Sequence, residues 1–251
     1  MKTFQTTCMG LVARRDALIE DADLAAINRY ALKPVERENV AVFTIEVCHD
    51  QVDKHFSRFP KEELETIARL VPGRPLMLLH DIRTKMPLGK IFRGWLALND
   101  QHTETEHYRS SVQADVYVLR TAENASAIEN IEGGVWAETS IGFSFRLPEC
   151  SICNSDLRSC DHQPGRTYEG RQCHYIMREV LEVIETSLVP SGSQGTEVLG
   201  SRSFEAALLE ARGAVSGEEK DAGVTVGMNM KLLRKRHELM GNRWPGWAVK
   251  Q

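Results

Sequence analysis

The sequence predicts a mostly-β domain of the α+β class: short strands closing wholly or partly into a barrel, with a few flanking helices. Three observations carry this expectation. Apolar and β-branched residues alternate with period two at 39–48, 112–119 and 135–145. Two segments, 60–71 and 122–131, instead place apolar residues at helical spacing. From about Gly192 the chain turns rich in Gly, Ser and charge, so the folded part ends near residue 200.

The first strand is NVAVFTIEVC, residues 39–48, in which Val40, Val42 and Thr44 oppose Ala41, Phe43, Ile45 and Val47. Pro60 opens PKEELETIARLV, with Glu62 and Glu63 in the first turn, where acids suit a helix N-terminus. Leu64, Ile67, Ala68 and Val71 form its apolar stripe, and Pro72-Gly73 ends it. Short apolar runs follow at 75–80 and 89–98, separated from the strand 112–119 by a polar stretch, 99–109, that reads as an exposed hairpin loop. The helix 122–131 closes at Gly133-Gly134, and VWAETSIGFSF at 135–145 returns to strand chemistry. YIMREVLEVIETSLV at 175–189 is long enough for two strands or one bent strand. The expected organisation is an N-terminal segment 1–36, a main domain 37–200 with an insert at 148–174, and a flexible tail 201–251.

Composition excludes some function classes. The 251 residues carry 31 basic and 35 acidic side chains, a net charge of −4, and no basic excess that would attract nucleic acid. No apolar run approaches the roughly 18 residues of a membrane span, and residues 1–23 lack the apolar core and cleavage site of a signal peptide. The expected compartment is the cytosol, with neither nucleic acid nor membrane as partner.

In a reducing compartment clustered cysteines point to metal before disulfide. Four of the six, Cys150, Cys153, Cys160 and Cys173, fall in the insert with His162 and His174, whereas Cys8 and Cys48 stand apart. A C-x2-C pair sets two thiolates around a tetrahedral Zn²⁺ from one turn, and a second pair closes the site. The segment between them has too few apolar residues for a core, so the metal would order it. The expected ligands are Cys150, Cys153, Cys160 and Cys173, with His162 competing for a place. A full set of four makes the zinc structural, and no H-E-x-x-H run suggests a catalytic one.

Three further residues draw notice. His80 ends the apolar run LMLLHD, where a ring can be held on one side and open on the other, as a general base requires. Ser140 precedes Ile141-Gly142, and that glycine lets another chain approach closely. Glu185 sits amid the apolar strand EVIETSLV, and burying it needs a partner such as an imidazole. Each also has a purely structural reading in local sequence. Rival nucleophiles are Cys48, adjacent to His49, and Ser187; Glu182 is a lesser alternative to Glu185, because a continuous strand would turn it to the opposite face.

Four ordered pieces join these residues: VAVFTIEV, PLMLLHDIRTKMPLGKI, VWAETSIGFSF and LEVIETSLVPSGSQGT. Together they resemble the prohead protease family of tailed bacteriophages, which is similar in fold to the herpesvirus maturational protease. That family has a histidine before an aspartate and a Pro-Leu-Gly run, a serine before Ile/Val-Gly-Phe, and a final Glu-Val-Ser-Leu-Val-Pro strand. The resemblance spans about residues 38–200 and implies a barrel of the herpesvirus-protease type. It implies a serine endopeptidase with a Ser-His-Glu triad: Ser140 as nucleophile, His80 as general base and Glu185 as the group orienting it. Backbone N–H groups at Ser191 to Gly195 would stabilise the oxyanion. Here the sequence departs from the family, with PSGSQGT in place of Pro-Ala-Asn-Pro-Gly and without the arginines of the herpesvirus loop. The implied substrates are phage scaffold and major capsid proteins, with self-cleavage of the tail, inside the assembling procapsid in the host cytoplasm. A homo-oligomer fits the same resemblance. The competing expectation is a non-catalytic, zinc-stabilised assembly or scaffold protein on the same fold.

Overall fold

The computed structural model describes residues 18–102 and 108–202. All belong to the first of two units, Met1–Arg212; the second, Gly213–Gln251, and with it the expected tail beyond residue 202, lies outside the described residues, as do residues 103–107 of the expected loop 99–109.

The expected mostly-β class is observed. Helix α1 (Asp21–Asn28) precedes β1 (Val40–His49), β2 (Ser57–Arg58), α2 (Lys61–Leu70), β3 (Pro75–Leu78), β4 (Gly89–His102) and β5 (Tyr108–Leu119). Helix α3 (Ala125–Glu132), β6 (Glu138–Cys150), the small hairpin β7 (Thr167–Tyr168) and β8 (Arg171–Gln172), β9 (Tyr175–Val189) and β10 (Val198–Arg202) complete it. The main sheet is mixed and runs β10-β1-β5-β4-β3-β9-β2, with β6 joined along β9.

Strand β1 lies between β10 and β5, and its two faces meet different partners. Ala41, Phe43, Ile45 and Val47 enter the main core with Leu64, Ile67, Leu76, Ile91, Val116 and Val183. Val40 and Val42, on the other face, pack with Phe92 and with Ile19 and Ile27 of the α1 region. Each such large side chain removed from water contributes about 1.5–3 kcal/mol. Helix α1 was not expected from the sequence: its apolar residues are crowded into one run rather than spaced along a stripe. A capping box in which Glu20 and Asp23 exchange bonds with each other's backbone fixes its start.

A closed barrel is not formed. β9 lends one whole edge to β6, while its other edge is divided between β2, at Tyr175–Ile176, and β3, at Thr186–Leu188. Between them the Glu63 carboxylate of α2 accepts the N–H groups of Glu179 and Val180 at 2.8 and 3.0 Å. A side chain thus satisfies donors that a further strand would have taken. On the far side, β6 meets the approach to β10 through the single bridge Glu138–Glu197 and neighbouring bonds that include Thr139 N–H to Thr196 O and Val198 N–H to Ala137 O. No helix among the described residues is long and apolar enough to cross a membrane.

Candidate active site and metal centre

The turn after β3 sets His80. Leu79 and His80 both have φ of +58°, a left-handed conformation that costs a non-glycine residue on the order of 1–3 kcal/mol. The surroundings hold them there. Leu79 N–H donates to Leu188 O at 3.0 Å, His80 N–H to Ser187 Oγ at 3.0 Å, and Ile82 N–H to His80 O at 3.0 Å. Asp81 closes the turn by accepting the Thr84 N–H and hydroxyl, bonds that also hold its carboxyl below the usual range. The aspartate beside His80 is therefore a turn residue.

His80 Nδ1 lies 2.6 Å from Glu185 Oε1, and the Ser187 hydroxyl donates to Glu185 Oε2 at 2.5 Å. With Glu185 as acceptor, Nδ1 carries the imidazole proton and Nε2 keeps its lone pair. The carboxylate side chain is 3% exposed and the imidazole 42%, so the pair has a fixed inner end and an open outer one. Ser187 is fully buried and spends its hydroxyl on this arrangement, which removes it as a rival nucleophile.

Ser140 is the cross-strand partner of Ser187, and Gly142 that of Glu185. Partners in an antiparallel ladder share a face with Cα atoms about 4.5–5.5 Å apart, so Ser140 stands beside the Glu185–His80 pair. Its hydroxyl makes no hydrogen bond among the described residues, His80 included. Gly142 makes room for the carboxylate: a Cβ there would fall 2.2 Å from Glu185 Oε1. Gly142→Ala is expected to lower unfolding free energy by about 1–3 kcal/mol in urea. It should also remove the low-field proton resonance of His80 Nδ1. An unchanged midpoint and resonance would contradict this packing.

Glu182 does not face away from this site. β9 is not a continuous strand in register terms: the ladder slips between Gly142–Glu185 and Phe143–Val183, leaving Ile184 unpaired. The bulge returns Glu182 to the face of Glu185, where it accepts from Ser144 Oγ at 3.2 Å, two residues along β6 and away from His80.

The loop 191–195 departs from the expected oxyanion donor role at one position. Gly192 N–H donates to Glu138 Oε2 at 2.7 Å, so that donor is taken. Lys54 Nζ donates to Ser191 Oγ and Gly192 O at 3.1 and 2.9 Å, tying the loop down. The Cys48–His49 pair is inert: burial, then Glu46, push the Cys48 thiol well up. Burial, then Arg109, push His49 down, and its ring bonds Gln194 O at 2.8 Å and Gln51 N–H at 3.1 Å.

At the other end of β6 and β9, the metal-ligating atoms of Cys150, Cys153, Cys160 and His162 all lie within 4.8 Å of one another. A tetrahedral Zn²⁺ holds sulfur and nitrogen ligands roughly 3.5–3.8 Å apart, so the group can close on such an ion with small rotations. His162 Nδ1 is buried with no hydrogen-bond partner among the described residues. Burial raises the Cys150 thiol, but N–H groups of Cys153 and Ile152 outweigh it, and the Ser155 N–H lowers Cys153; both favour thiolate. Cys173, expected as the fourth ligand, is not a member of this group, although its Sγ is 4.0 Å from that of Cys150; burial raises its thiol to about 11. His174 is half-buried and gives its N–H to Ser151 Oγ at 2.9 Å. These four residues can bind a metal ion.

No protein-family model matches the chain, and no curated protein or solved structure matches it.

Proposed function

We propose that this chain is a serine endopeptidase of the procapsid-maturation type. The observation that carries the reading is the bond from His80 Nδ1 to the buried Glu185 carboxylate, 2.6 Å, on the strand face that also bears Ser140. Glu185 fixes the tautomer, so Nε2 is the base that takes the Ser140 proton as the hydroxyl oxygen attacks a peptide carbonyl. The imidazolium that forms lies against a negative charge, and it then returns the proton to the leaving amine. Deacylation repeats the cycle with water in place of the serine. Ser187 keeps the carboxylate aimed, and the strained turn keeps the ring from rotating away.

The finer fold reading is a partly open barrel of the herpesvirus-protease type. What supports it is the contact of β6 with the run into β10, together with Thr139 Oγ1 donating to Glu46 O of β1 at 2.6 Å. Scaffold and capsid proteins as substrates, the procapsid as location and a homo-oligomeric form follow from the sequence resemblance. The metal is read as a structural Zn²⁺ held by Cys150, Cys153, Cys160 and His162. Four protein ligands leave no place for water, so it supplies order to the insert and takes no part in hydrolysis.

The free Ser140 hydroxyl and the engaged Gly192 N–H favour a second reading, a non-catalytic zinc-stabilised assembly protein. A fluorophosphonate probe separates the two. Covalent labelling of the full chain at Ser140, abolished in Ser140→Ala and slowed in His80→Ala, is expected. No labelling of the folded wild-type chain, or equal labelling of Ser140→Ala, would sink the peptidase.

A further inference from the structure

Resting on the peptidase reading, we infer that the site selects extended peptides by one large apolar side chain, held in an aromatic cleft next to Ser140. Two observations converge on this.

The first is an open strand edge. Thr139 N–H donates to Thr196 O at 2.8 Å and Thr139 O accepts from Thr196 Oγ1 at 2.9 Å, so both backbone groups of this residue turn away from β9. By the two-residue alternation of a strand, Ile141 and Phe143 turn theirs the same way. Among the described residues no hydrogen bond reaches them there. Unpaired N–H and C=O groups in this spacing accept an added strand.

The second is what lies along that edge. A cleft of about 200 Å³ opens beside Ser140, lined by the rings of Phe59, Phe143, Phe145 and Tyr175 and also by polar residues, among them Asp53 and His55. The rings form a continuous series, with centroids 4.9 Å apart for Phe59–Phe143, 5.8 Å for Phe143–Phe145 and 6.5 Å for Phe145–Tyr175. An apolar cavity of about 150 Å³ accepts benzene, so this one has room for a phenyl ring or a branched aliphatic group.

Strand geometry fixes which substrate residue enters. A peptide residue paired opposite Ser140 keeps its side chain on the face of His80 and Glu185. Its immediate neighbours turn theirs to the other face, that of Ile141 and Phe143, where the cleft lies. The selected side chain therefore belongs to a residue adjacent in sequence to the one at Ser140, and a charged group set against the rings there would lose its hydration.

The test is a set of otherwise identical peptides carrying Ala, Asp, Lys, Leu or Phe at each position flanking the scissile bond, assayed with the full chain. Leu and Phe at one flanking position should raise kcat/KM over Ala by about 10–200-fold or more, with Asp and Lys below Ala. Phe145→Ala should flatten that preference, and Phe145→Leu, which keeps the core filled, should weaken it while the melting curve stays intact. Equal cleavage of all members, a preference for charge, or cleavage of none while Ser140 still takes the fluorophosphonate overturns the selectivity alone. Absence of both cleavage and labelling overturns the peptidase reading beneath it.

Discussion

Glu185→Gln is expected to reduce kcat by about 10⁴-fold while leaving KM within a few-fold, with Ser140→Ala falling further, by about 10⁶-fold. The reason is tautomer control. Glu185 accepts from two donors at once, His80 Nδ1 at 2.6 Å and Ser187 Oγ at 2.5 Å. A glutamine has one oxygen and one NH₂, so it can keep only one of those acceptances. If its oxygen faces Ser187, the NH₂ faces His80 and forces Nδ1 to become the acceptor. The proton then sits on Nε2, the atom that should receive one from Ser140. Because Glu185 is buried, no water replaces the lost acceptor. Ser187→Ala is a useful contrast within the same measurement, since it removes an aiming bond without altering the charge beneath the imidazole, and a drop of smaller size is expected. Equal kcat values for Glu185→Gln and wild type, with both chains folded, would remove Glu185 from the mechanism.

Most strands and two helices were legible because they are decided by local pattern. Pro60, Glu62 and Glu63 announce α2, and the alternation at 39–48 announces β1, down to which residues share a face. The same local logic failed where tertiary contacts decide. Glu182 was assigned to the wrong face because a bulge is a mismatch between two strands, visible only when both are paired. Helix α1 was missed because its cover for Val40 and Val42 depends on Ile19 and Ile27 rather than on a long stripe. The left-handed turn at Leu79–His80 has no glycine to reveal it. In the insert, residue types gave a cluster able to bind a metal ion, but not the choice between Cys173 and His162. That choice depends on how a turn from Cys160 to His162 folds back onto Cys150, which spacing alone leaves open.

Removing the metal is expected to damage substrate binding while sparing the reactive serine. The full chain should contain about one zinc by elemental analysis, lost on strong chelation or in Cys153→Ser. Binding energies of structural zinc in small modules are about 10–16 kcal/mol, so the insert should open and become cleavable by added trypsin at Arg158, Arg166 or Arg171. The loss then has a route to the cleft. Gly165, with φ of +87°, lies against the Phe56 ring so closely that a Cβ would be 2.7 Å from Phe56 Cε2. Gly165 N–H also donates to Cys173 O, and Tyr175 N–H to Phe56 O, at 2.7 and 2.9 Å. These contacts pin the segment that continues into β2 and Phe59, one wall of the cleft. By contrast, the metal cluster begins at Cys150, ten residues along β6 from Ser140, or roughly 30 Å of strand. The Glu185–His80 pair at the distant end has its own supports in Ser187 and the β3 turn. Chelation should therefore raise KM for peptides carrying a large apolar side chain, while Ser140 keeps reacting with a small fluorophosphonate. If labelling disappears in step with the metal, the ion belongs to the chemistry rather than to the wall; if pure protein holds no zinc, the metal centre is refuted.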